Sequence, residues 1–305
     1  MREDVEDQVE HVTHDAVAKV LLVPGRYRRF SVPRTAARRE YGVNGELLDK
    51  LLDLGMPSHG TGADITFDSL DLENIALDLR LPSSQVAAMR LWARSLTGPK
   101  VPRLGLCEIT LSLNCPEPGH RGNCGFSLSS HLAERMDAPR HPESEQLSFQ
   151  FFAPAENHDF DADFTPVVSE ARSLTFHRIP DELVTDMGFL KETGLADCRS
   201  ASRRLLDVAE DAGYAARPAA GFFLGAPFPC THAWFEVRVG ERWQAADPFF
   251  LDTLHHWGIL SPEDWPLTRS PKRIVWRIES EHELSMPLIR HGKRPMAAAV
   301  AARWR

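Results

Sequence analysis

The segment from Cys230 to Phe250, CTHAWFEVRVG followed by ERWQAADPFF, constrains the fold more than any other stretch. Ala233, Phe235, Val237 and Val239 alternate with His232, Trp234, Glu236 and Arg238. That is the period of a β-strand whose two faces carry different side chains. Gly240 marks a tight turn, and the run through Trp243 and Ala245 reads as a returning strand that ends at Asp247-Pro248. Antiparallel pairing across the turn is expected to set Asp247 beside His232.

Upstream, Asp197 suits a helix N-cap, and Ala201, Leu205, Val208 and Ala212 recur at helical spacing until Gly213, a suitable residue just past the helix end. Cys198 therefore opens a helix. Unbonded N–H groups and the positive end of the helix dipole favour thiolate over thiol at such a position, and the same N–H groups, that of Cys198 included, suit the oxygen of a tetrahedral intermediate. A buried cysteine is often inert, a lone strand histidine is more often structural, and Asp before Pro is more often a turn residue. The three in this order carry more than their parts: nucleophile, base, and a carboxylate that holds the ring tautomer and stabilises the imidazolium.

The stretch GLADCRSASRRLLDVAEDAGYAARPAAGFF, then HAWFEV, then RWQAADPFF resembles the transglutaminase-like superfamily. In that pattern a G-x-C helix ends in a Gly-x-x-A-R turn, a G-aromatic strand follows, and then come H-A-W-x-E-V and W…D-P. The resemblance places the nucleophile on Cys198, the base on His232 and the orienting acid on Asp247, with Arg217, Gly221, Trp234, Glu236, Trp243 and Pro248 on framework positions. The family's second oxyanion donor, which lies upstream of the cysteine, has no identifiable counterpart here. The implied fold is α+β: a transglutaminase-like (papain-like) core in which the helix carrying the nucleophile packs on an antiparallel sheet. The implied chemistry is an acyl-enzyme on Cys198, formed from an amide or thioester and released to an amine or to water.

Within that chemistry the context favours an acyltransferase or amide synthase, as in natural-product assembly. Its partners are an acyl donor (a peptide, protein or carrier-protein thioester) and an amine acceptor, and it needs no cofactor. A cysteine protease or amidase is the alternative, distinguished by access of water to the acyl-enzyme. A non-catalytic binding module is a second alternative, against which the retention of all three residue types argues.

Elsewhere the signals are sparser. Residues 1–40 form a charged arm in which only Val20, Leu21, Leu22 and Val23 look like a strand. Asn44 is an N-cap for a helix carrying Leu47, Leu48, Leu51 and Leu54, and Ser83 opens another with Val86, Met89, Ala93 and Leu96 on one face. Ile109, Leu111 and Leu113, then Phe126 and Leu128 beyond a Pro/Gly loop, predict a hairpin, and the Pro- and acid-rich stretch 135–170 around Phe149, Phe151 and Phe152 a boundary or excursion. After Pro180, Leu183, Val184, Met187 and Leu190 share a helical face. The expected organisation is a region 1–150 of helices plus a β-hairpin, suited to substrate or partner recognition, followed by a catalytic domain 151–305.

Cys107, Cys115, His120 and Cys124 gather four soft donors around the loop, but the spacing matches no standard zinc finger, and small, partly buried cysteines are the favoured reading. Cys230 is a neighbour of His232 rather than a nucleophile. His255-His256 are expected to be solvated loop residues, and the basic tail with Lys293, Arg294, Arg303 and Arg305 a frayed terminus. With 35 basic and 43 acidic residues among 305 the formal charge is -8, which does not advertise nucleic acid. The absence of a signal-like start or of a long apolar run, together with five cysteines, leads to a cytoplasmic, non-membrane expectation with reduced thiols.

Overall fold

The computed structural model describes residues 2–97, 105–115, 125–153, 158–225, 229–282, 287–296 and 299–304. The class is α+β, and helices account for most of the first hundred residues. α1 (Arg2–Leu22) runs through the supposed strand at Val20: Thr13, Ala16, Val17 and Val20 are buried at positions i, i+3, i+4 and i+7, a helical stripe that the surrounding charges obscure. Val23 and Pro24 end it. β1 (Phe30–Pro33), α2 (Arg34–Tyr41), α3 (Gly45–Asp53), β2 (Thr66–Asp68), α4 (Ser69–Asp78) and α5 (Ser84–Thr97) follow. The Asn44 side chain caps α3 by accepting from Leu47 N at 2.9 Å, and Ser83 Oγ accepts from Val86 N at 3.3 Å at the start of α5. Val17, Val20, Leu48, Leu51, Phe67, Leu72 and Ile75 form the core of this region, with α1 against α4.

β3 (Gly105–Ser112), β4 (Phe126–Leu128), α6 (Ser130–Met136), β5 (Gln146–Ala153) and α7 (Thr165–Ser173) come next. Both expected strands form, but they do not pair with each other. β3 lies between β5 and the last strand of the chain, while β4 pairs with a strand near residue 290. The hairpin is therefore replaced by two separate sheets. Alternation fixes which side chains point inward but not which strand lies alongside, and the intervening loop is too long to dictate a turn. The phenylalanine-rich patch is β5, paired with β3 along its whole length.

β6 (Thr175–Phe176), α8 (Met187–Thr193) and β7 (Leu195–Ala196) lead into α9 (Cys198–Asp211). The single helix expected after Pro180 is two pieces, a 3-10 turn at Asp181–Leu183 and α8, which Asp186 starts afresh by accepting from Phe189 N at 3.0 Å. Then come β8 (Ala216–Phe223), β9 (Cys230–Val239), β10 (Arg242–Ala246), α10 (Pro248–His256), β11 (Val275–Glu279), β12 (Ile289–His291), β13 (Arg294–Met296) and β14 (Ala299–Trp304). The central sheet is antiparallel in the order β10-β9-β8-β11. β14 pairs with β3 from Ser112 to Cys107, so the basic tail is a strand through Arg303 rather than a frayed end; Arg305 lies outside the described residues.

The chain forms two compact units drawn from interleaved stretches: residues 1–90 with 173–200, and residues 91–172 with 201–305. The second has its own core of Ile109, Leu111, Leu113, Phe126, Leu132, Phe222, Trp276 and Ile289. No helix among the described residues is long and apolar enough to cross a membrane.

Candidate active site

β9 and β10 meet at the turn after Val239 in the register Arg242↔Val239 through Ala246↔Phe235. The alternation of β9 aims His232, Trp234 and Glu236 to one face, and the end of β10 delivers Asp247 to that face. Asp247 Oδ2 lies 2.5 Å from His232 Nε2, with the two side chains 7% and 9% exposed. The other carboxylate oxygen, Oδ1, accepts from Phe250 N at 3.2 Å and so caps α10, which Pro248 enters at a position where its missing N–H costs nothing. One aspartate thus meets the imidazole and starts the next helix.

Three aromatic rings lie around the imidazole. Trp234 stacks on it at 6.1 Å and 19°, Phe223 meets it edge-on at 5.9 Å and 80°, and Phe250 lies 5.4 Å away. Trp234 is wholly buried, and its indole N–H has no hydrogen-bond partner among the described residues. Apolar walls of this kind strengthen the imidazole–carboxylate interaction by excluding water. Across the sheet His232 faces Gly221 of β8, where a Cβ would lie 2.1 Å from the carbonyl oxygen of Trp276 on β11. Only glycine allows those two backbones to approach so closely.

Cys198 is the first residue of α9 and is partly exposed. Asp197 Oδ1 accepts from Arg199 N at 2.9 Å and Ser200 N at 3.2 Å, and Ser200 Oγ in return accepts from Asp197 N at 3.1 Å. This reciprocal box is the capping expected of Asp197, and it draws on the amides after Cys198 rather than on that of Cys198 itself. Arg199 is clamped by Asp197 and by Asp181, the latter at 2.7 Å.

The other sequence candidates are dispersed. Cys107 is fully buried in β3, where burial and then Glu108 push its thiol up to about 12. β3 extends to Ser112 at about 3.3 Å per residue, which carries Cys107 away from Cys115 and prevents both from holding one ion. Cys115 Sγ instead lies 3.8 Å from His291 Nε2, a neighbour that sequence spacing gave no means of finding. His120 and Cys124 lie outside the described residues, and among the described residues no three His, Cys, Asp or Glu side chains gather as metal ligands do. None of the four described cysteines is in a disulfide. His255 and His256 form the last turn of α10 rather than a loop, and burial holds His255 below its usual range. Cys230 begins β9 opposite Phe223.

Two buried histidines outside this group carried no sequence signal. His177 is 1% exposed, and neither of its ring nitrogens has a partner among the described residues; burial first, then the charges of Lys19 and Arg28, push it down to about 3. His282 lies with Nδ1 3.4 Å from Ser202 Oγ, and burial followed by Arg203 lowers it to about 4.

No family model, no curated protein and no solved structure matches this chain. The family resemblance accordingly rests on the motif residues themselves.

Proposed function

We propose that the chain is a cysteine acyltransferase or amide synthase built on a transglutaminase-like core, with Cys198 as nucleophile, His232 as base and Asp247 as orienting acid. The observation that carries this reading is the largely buried pair of His232 Nε2 on β9 and Asp247 Oδ2 at the end of β10, 2.5 Å apart and flanked by aromatic rings. A purely structural histidine needs neither a carboxylate at that distance nor a cysteine at a capped helix start elsewhere in the same motif.

In the proposed cycle the Cys198 thiolate adds to the carbonyl carbon of an amide or thioester donor. The tetrahedral oxyanion collapses as His232 gives its proton to the departing amine or thiol, leaving an acyl-thioester on Cys198. An acceptor amine then attacks that thioester, His232 removes its proton, and the thiolate leaves with the new amide formed. The donor is a peptide, a protein or a carrier-protein thioester.

Intact-protein mass spectrometry after incubation with a panel of thioesters and peptides tests the first half: one acyl group is expected on the wild type and none on Cys198→Ala. No adduct from any donor, or the same adduct on the variant, overturns the assignment. Product ratios with and without added amines test the second half. Diversion of the acyl group to amine supports transfer, whereas release to water unaffected by every amine identifies a hydrolase.

A further inference from the structure

The second compact unit holds a concentration of positive charge that acyl transfer does not use. Glu236 is 7% exposed, and both Nε and Nη2 of Arg217 donate to its Oε2, at 2.8 and 2.5 Å. Arg277 Nε approaches the same oxygen at 3.6 Å, outside hydrogen-bond distance, while its Nη1 donates to Ser280 Oγ. Lys272 donates to the carbonyl oxygen of Trp243, whose ring lies under the Arg217 guanidinium at 4.1 Å. Arg135 joins from α6 through a hydrogen bond from its Nε to Arg277 O at 2.9 Å.

One carboxylate thus serves three partly buried cations, and among the described residues of the group two of the three positive charges have no counter-charge. The electrostatics reflect the excess. Burial lowers both Lys272 and Arg277; Glu236 opposes this, but Arg242 and Arg217 add to it at Lys272, as do Arg217 and Arg135 at Arg277. This happens in a chain whose overall charge is -8, where surplus cations are not a matter of composition. The strand register puts Arg277, Gly221 and His232 in one row across β11, β8 and β9, with no side chain at the middle position.

We propose that Arg217, Arg277 and Lys272 form a binding site for a multiply charged phosphate group, a pyrophosphate or phosphate ester. Guanidinium forks match the geometry of phosphate oxygens, and the ammonium supplies a point charge. Two positive charges left after Glu236 is matched suit a multiply charged phosphate group better than a single carboxylate. The proposal does not depend on the acyl-transfer reading.

The test is calorimetric titration of the full chain at low salt with inorganic pyrophosphate as the probe. Saturable binding that weakens as salt rises is expected, with Lys272→Gln and Arg277→Gln each lowering affinity by about tenfold or more. Arg238→Gln, which removes an exposed partner of Glu241 on the same strand, is expected to leave affinity unchanged. ADP run in parallel separates the sources: tighter binding than pyrophosphate identifies an esterified ligand, and equal binding a free one. Thermal unfolding checks each variant, and Arg277→Lys substitutes if the glutamine variant does not fold. No saturable binding by the wild type, or wild-type affinity in both folded variants, overturns the site.

Discussion

His232 and His177 are both largely taken out of water, and their charged neighbours differ in sign. His232 meets a carboxylate at 2.5 Å. His177, between β6 and the 3-10 turn at Asp181–Leu183, meets none among the described residues and feels two cations instead. Burial alone disfavours the charged imidazole, so an unaccompanied ring remains neutral and costs about 1–3 kcal/mol in unmade hydrogen bonds. With a fixed carboxylate, a buried ring has a defined tautomer and a stabilised imidazolium, which is what a base that cycles a proton requires. Of the two, only His232 has a carboxylate beside it among the described residues, and His282, with a serine hydroxyl at 3.4 Å, stands between them.

The strongest way to break this contrast is to remove each ring. On the acyl-transfer reading, His232→Ala should lower kcat/KM by about a thousandfold or more, comparably to Cys198→Ala, because members of a relay act as a unit. His177→Leu should leave the rate within about twofold. Steady-state turnover of one acyl donor compares all three variants, and equal losses at both histidines would remove the basis for calling His232 the base. Replacing Asp247 by Asn keeps the shape and withdraws the negative charge, and its expected cost is equal to or smaller than that of His232→Ala. A silent Asp247→Asn would contradict the orienting role.

The second consequence is a pH dependence of stability. The folded-state value of His177, about 3, lies below the ordinary 6.5. Above 6.5 the ring is neutral folded and unfolded; as pH falls, the unfolded chain takes up the proton first and stability is lost, down to about 3. In that window the group contributes a slope of about 1.4 kcal/mol per pH unit. Urea unfolding at pH 7, 6 and 5 should show a shallower decline for His177→Leu by that amount per unit over the lower part of the range, with no loss of stability at pH 7. Parallel curves for variant and wild type would mean that the ring is not held neutral.

How far such features can be read in advance depends on whether their cause is local. The capped start of α9 and the strand–turn–strand from Cys230 to Ala246 follow from residues within a few positions of one another, so Asp197, Cys198, Gly240 and Asp247 announce them. The pairing of β3 with β14, or of β4 with β12, is decided by partners more than a hundred positions away, and alternation at Ile109 and Leu111 is compatible with any neighbour. α1 was hidden for a different reason. Its apolar stripe is narrow and set among charges, whereas Val20–Val23 imitates a short strand. His177 gave no signal because burial is a tertiary property; nothing beside it in the chain marks it as enclosed. Cys115 and His291 likewise meet only through folding.

The smallest effect distinguishes the two jobs of Asp247. Its Oδ2 faces the imidazole while Oδ1 accepts from Phe250 N at the start of α10. Asparagine keeps an oxygen that accepts from that amide and is as good an N-cap as aspartate, so Asp247→Asn should unfold within about 0.5 kcal/mol of wild type even as turnover falls. Alanine supplies neither group, and Asp247→Ala should lose about 1 kcal/mol further, the usual cost of a missing cap. Urea midpoints for the three proteins, measured with their turnover rates, separate the roles. If asparagine were as destabilising as alanine, the carboxylate would be holding the fold through His232, and the rate loss in either variant would then report disrupted structure rather than a misdirected imidazole.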